Sequence, residues 1–160
     1  MLDDLRVNFL HPVSRWASPF DLSVAGYAHT RWWEYVDWAL GRLGVSFLVI
    51  ANSDEEVARA LVLERRIETQ HALFEASRPT IEIDMFEVRR HLWGSGVGRG
   101  CVDLIRETYA AHQTVAFSLD ADGFWESIGF SRKHRLDDEV GHSPLYVASP
   151  LLGRSSRPAE

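Results

Sequence analysis

Apolar and polar residues alternate from Ile81 onward, with Ile81, Ile83 and Met85 on one face and Glu82, Asp84 and Phe86 on the other. A period of two predicts a strand, here ending at Val88. The alternation then gives way to Gly94, Gly96, Gly98 and Gly100, and Val97, Cys101, Leu104, Ile105 and Tyr109 follow at helical spacing. The order is strand, glycine loop, helix, with the helix running to about His112.

The same patterns divide the rest of the chain. Leu5 to Leu10 alternates and predicts an edge strand, ended by His11-Pro12. Trp16 to Gly26 reads as loop or short helix after Ser18-Pro19. Thr30 caps a predicted helix to Leu43, with Trp32, Val36, Ala39, Leu40 and Leu43 on its buried stripe and Gly44 as its stop. On that phase Trp32 is core, while Trp33 and Trp38 fall off the stripe and are placed to line a pocket or a homodimer contact. Val45 to Ala51 and Val57 to Ile67 form a predicted hairpin across Asn52-Ser53-Asp54, and Glu68 to Arg78 is loop or short helix. Thr114 to Leu119 is a strand and Asp120 to Ile128 a short helix closed by Gly129. Phe130 to Leu136 and Pro144 to Ala148 make a last hairpin around residues 137–143, and a disordered tail is expected from Leu151. Strands and helices in this order define an α/β (α+β) domain over residues 1–150.

Composition narrows the chemistry. At 160 residues and 46% hydrophobic, the chain suits one domain with a real core. It has no apolar run long enough to cross a membrane, and its single cysteine cannot close an internal disulfide, so a reducing cytoplasm is the expected compartment. A formal net charge of -6 disfavours nucleic acid as a partner, because that affinity comes from Lys and Arg releasing phosphate counterions. The histidines form no His-x-x-x-His pair and there is no cysteine cluster, so no metal is expected. Cys101 lies on the apolar stripe of its helix and is expected to pack there.

Glycines that open a helix suit phosphate, because the first amides of a helix lack intrahelical partners and sit at the positive end of its dipole. Two familiar nucleotide motifs are excluded by spacing: the sixth position from Gly94 is Arg99, from Gly96 it is Cys101, and no Gly-Lys-Ser/Thr occurs. Instead, Val88 to Gly98 resembles the acyl-CoA signature of the GNAT superfamily of N-acyltransferases. In that signature a strand-terminal Val precedes Arg/Gln-x-x-Gly-x-Gly/Ala, matched here by Trp93-Gly94-Ser95-Gly96-Val97-Gly98. Downstream, Phe124-Trp125-Glu126-Ser127-Ile128-Gly129-Phe130 looks like the second GNAT signature, an aromatic pair followed by Gly-Phe. Trp93 stands where the family usually has Arg or Gln, and Trp125 where many members have Tyr.

The resemblance implies a mixed, mostly antiparallel sheet flanked by helices on both faces, with Ile81–Val88 and Thr114–Leu119 as splayed parallel neighbours. It implies acetyl-CoA as co-substrate, its pantetheine arm pairing with the backbone of Phe86, Glu87 and Val88. The pyrophosphate would sit on the amides of Trp93, Gly94, Ser95, Gly96, Val97, Gly98 and Arg99, with Arg99 adding charge unless it is plain solvated surface. Glu82 stands six residues before Val88, where some members carry a general base, with Asp84 on the same predicted face; both could instead simply face solvent. Trp125 falls in the cofactor region, and its indole cannot serve as an acid near neutral pH. The implied activity is N-acetyl transfer to a primary amine of a small molecule or protein. Two alternatives stay open: an acyl-CoA-binding module without turnover, and a protein or aminoacyl-tRNA acetyltransferase, which the acidic balance disfavours.

Overall fold

The computed structural model describes residues 4–66, 78–135 and 141–150. Its strands are β1 (Arg6–Leu10), β2 (Val45–Ala51), β3 (Glu56–Glu64), β4 (Thr80–Val88), β5 (Gln113–Phe117), β6 (Phe130–Lys133) and β7 (Leu145–Ala148). They form one 7-stranded sheet in the order β1-β2-β3-β4-β5-β7-β6. Every pairing is antiparallel except β4 with β5. Helices α1 (Thr30–Glu34), α2 (Val97–Thr108) and α3 (Asp122–Ser127) complete the described elements, with one 3₁₀ turn at Arg90–Leu92. The predicted order of strands and helices is the observed one. Residue 67 of the first predicted hairpin, residues 136–140 of the last, the Glu68–Arg78 segment up to residue 77 and the tail from residue 151 lie outside the described residues.

Each sheet face carries its own layer. Val97, Cys101, Val102 and Ile105 of α2, with Trp125 of α3 and Ile128, pack on Leu48, Ile50, Ala58, Ala60, Val62, Ile81 and Ile83. Full burial of an aliphatic side chain of this size contributes about 1.5–3 kcal/mol. On the opposite face Phe20, Tyr27, Trp33, Val36, Ala39 and Leu40 cover Phe47, Val49, Leu61 and Leu63.

Two expectations are corrected here. The helix predicted from Thr30 to Leu43 stops at Glu34, and the chain continues through turns in which Ala39, Leu40 and Arg42 donate to Val36, Asp37 and Ala39. A run of aromatic and β-branched side chains favours helix poorly, and a phase extrapolated along fourteen residues is therefore wrong. Trp33 is fully buried, Trp32 is exposed and Leu43 is 99% exposed. Trp38, as expected, stays partly outside, beneath Arg42.

The second correction concerns β4. Its register against β3 skips one residue, pairing Leu61 with Met85 and Val62 with Ile83, so Asp84 is the extra residue of a β-bulge. Because side chains alternate with period two, one inserted residue reverses the faces beyond it. Ile81 and Ile83 join the α2 layer before the bulge, and Phe86 and Val88 join it after. Met85 packs in the α1 layer instead. Phe86 therefore does not share a face with Glu82.

Candidate active site

Strands β4 and β5 pair only from Thr80 to Glu82 and from Gln113 to Val115, and part beyond. The Arg89 amide donates to the Val57 carbonyl on β3, 3.0 Å away. Antiparallel alternation then turns the amides and carbonyls of Phe86 and Val88 the other way, toward the gap. There lies a cleft of about 730 Å³. Phe86, Glu87 and Val88 form one wall, Trp93, Gly94, Gly96, Gly98 and Arg99 its end, and Leu119, Asp120, Ala121, Phe124, Ser127 and Ile128 the far side. His29 and Trp32 close it from the α1 side.

Backbone geometry explains the glycines. Gly94 and Gly96 have φ of 74° and 84°, and a Cβ on either would meet no atom within 4 Å, so conformation is what requires glycine there. At Gly98 the reason is contact, since a Cβ would lie 3.1 Å from Cε2 of Phe124. Gly96 caps α2, and the Gly100 amide is the first to reach an intrahelical carbonyl, that of Gly96, at 3.3 Å. The amides of Val97, Gly98 and Arg99 thus open the helix without intrahelical partners. Those of Trp93 and Ser95 are engaged by the carbonyls of Arg90 and Leu92.

The side chains expected around this loop divide into two groups. Arg99 donates to the Ser127 carbonyl and so ties the loop to α3. Trp93 is 58% exposed, and its indole N–H donates to the Val88 carbonyl at 2.7 Å. Ser95, Val97 and Trp125 are not among the lining residues. The Ser95 hydroxyl bonds the Leu92 carbonyl, Val97 is core, and Trp125 is buried with its ring 5.0 Å from those of Phe124 and Phe130.

The three β4 carboxylates have different surroundings. Glu82 is buried beside Arg65, whose Nε lies 2.5 Å from Oε2 without hydrogen-bond alignment, so that oxygen has no hydrogen bond. Burial raises its pKa to about 7, with the Asp84 charge adding and Arg65 opposing. Asp84 is exposed at the bulge. Neither is among the cleft's lining residues, whereas Glu87 is. Glu87 is buried, and it accepts from the Ala28 and His29 amides and, at 2.7 Å, from the Trp33 indole.

Sequence patterns did not single out His29, Trp32, Leu119, Asp120 or Ala121 as cleft residues. One local signal existed, the Trp32-Trp33 doublet, since neighbouring rings point different ways. Asp120 is distinguished only by the structure, where its φ is 60°, a conformation Asp tolerates. His91, which neighbours the loop in sequence, pairs with Glu55 at 2.9 Å. Cys101 is buried in the α2 layer, and burial pushes its thiol up to about 12. Among the described residues no group of His, Cys, Asp and Glu could hold a metal ion, and no helix is long and apolar enough to cross a membrane.

Several solved structures share this architecture. AtaTR bound with AcCoA is 16% identical with a TM-score of 0.55, over 90% of this chain and 93% of that one. AtaT complexed with acetyl-methionyl-tRNAfMet is 13% identical with a TM-score of 0.59, over 89% and 94%. The Bacillus subtilis N-acetyltransferase YlbP in complex with coenzyme A is 18% identical with a TM-score of 0.50, over 64% and 70%. No protein-family model and no curated protein matches the sequence. The chain shares the fold of these structures, and its mixed, mostly antiparallel sheet is the one the resemblance implied.

Proposed function

We propose that this chain is an N-acetyltransferase that binds acetyl-CoA in the β4–β5 cleft and transfers its acetyl group to a primary amine. The observation that carries it is the junction of a splayed parallel pair with a glycine loop opening α2. The free amides of Val97, Gly98 and Arg99 suit a pyrophosphate, and the outward backbone groups of Phe86 and Val88 suit the amides of a pantetheine arm. The thioester supplies an activated acyl group, and the cleft holds it beside an incoming nitrogen. A small-molecule or protein amine fits the net charge of -6 better than an acceptor on a polyanion, such as the acetyl-methionyl-tRNA seen with AtaT. A reducing cytoplasm suits the lone, buried cysteine.

Calorimetry with acetyl-CoA tests this directly. Gly96→Glu places a carboxylate where phosphates would sit, and is expected to weaken binding about 100-fold or more, on the order of 3 kcal/mol. The positive φ adds about 1–2 kcal/mol of folding cost, which circular dichroism and a melt will register. A folded variant with wild-type affinity would remove the loop from the site.

A further inference from the structure

His29 stands at the α1 side of the cleft with one ring nitrogen near a carboxylate. Its Nδ1 lies 3.5 Å from Oε1 of Glu87, and its ring stacks on Trp32 with centroids 4.1 Å apart and planes at 13°. Glu87 cannot readily swing away, because Oε1 also accepts the His29 amide at 3.0 Å and Oε2 accepts the Trp33 indole at 2.7 Å. Among the described residues, Nε2 of His29 has no partner, while the residue itself lines the cleft. A carboxylate facing Nδ1 favours the tautomer with the proton there, which leaves the Nε2 lone pair available.

We propose that His29, oriented by Glu87 and Trp32, is the proton acceptor for the incoming amine; this rests on the acetyltransferase reading above. Nε2 takes a proton from the ammonium group, and the neutral nitrogen attacks the thioester carbonyl. The C–N bond forms, the C–S bond breaks, and the nitrogen's second proton leaves with the thiolate as the thiol of coenzyme A. The imidazolium returns its proton to solvent. Glu82 and Asp84 lie off the cleft wall, whereas His29 is on it.

Two small amines separate this role from a structural one, because methylamine is an ammonium ion at neutral pH and hydroxylamine is already neutral. His29→Gln is expected to bind acetyl-CoA as the wild type does by calorimetry. Its turnover of methylamine should fall about 100-fold, and that of hydroxylamine at least about tenfold less. Nitrogen NMR of the neutral imidazole supplies a readout apart from activity: the His29 signal should show a protonated Nδ1 and a bare Nε2. Equal losses with both amines, no loss, or a proton on Nε2 would overturn the assignment. So would an amine-dependent loss in Glu82→Gln and not in His29→Gln. A wild type that binds acetyl-CoA but acetylates neither amine sinks the His29 role alone, whereas one that does not bind acetyl-CoA sinks the acetyltransferase reading beneath it.

Discussion

Glu82 and Glu87 sit five positions apart on β4, both buried, and their surroundings give them different work. Glu87 is satisfied by two amides and an indole, and so fixes the segment that carries His29. Glu82 has an oxygen without a hydrogen bond, and burial raises its pKa from 4.5 to about 7. Between these values the folded chain keeps a proton that the unfolded chain has released. Unfolding therefore releases a proton, and stability falls as pH rises from about 4.5 to about 7. Glu82→Gln should flatten this slope, worth at most about 3 kcal/mol, in denaturant melts at a series of pH values. A variant with the wild-type slope would show that another group carries it.

At the scale of elements, β4 depends on a residue count more than on a side chain. The bulge at Asp84 turns Phe86 and Val88 into the α2 layer and brings Glu87 round to Trp33. Asp84→Gly keeps the count and should change stability by about 1 kcal/mol or less, since the side chain is exposed. Inserting one glycine between Met85 and Phe86 swaps the faces beyond it, and is expected to cost on the order of 3 kcal/mol or more and to abolish acetyl-CoA binding. Equal melts for the two variants would refute this. The bulge also marks where the sequence stopped being legible. The alternation in Ile81-Glu82-Ile83 and the glycine loop fixed β4 and α2, because both rest on local rules of period and conformation. Alternation continued through Met85 and concealed the extra residue, whose cause is the pairing with Leu61 and Val62 on another strand. The short α1 was hidden for the same reason: Glu87, more than fifty residues away, decides which of Trp32 and Trp33 is inside. The loop glycines of the site were legible, and the wall formed by His29, Trp32 and Asp120 was not, since only tertiary packing assembles it.

For the molecule as a whole, the mixed sheet brings a helix start, two parted strands and the segment before α1 to one place. That segment is distant in sequence from the loop, so the loop end and the α1 end of the cleft can vary independently. The indole of Trp93 has a consequence for where affinity comes from. With its N–H on the Val88 carbonyl, the resting cleft keeps a place-holder on an acceptor that faces the gap. A ligand amide arriving there trades one hydrogen bond for another and gains little net free energy. Binding must then be dominated by the nucleotide end, so acetyl-pantetheine, which lacks it, should bind about 100-fold more weakly than acetyl-CoA or worse in calorimetry, and comparable affinities would contradict this. The displaced ring would also make the protein its own optical reporter, its tryptophan emission changing as the cleft fills.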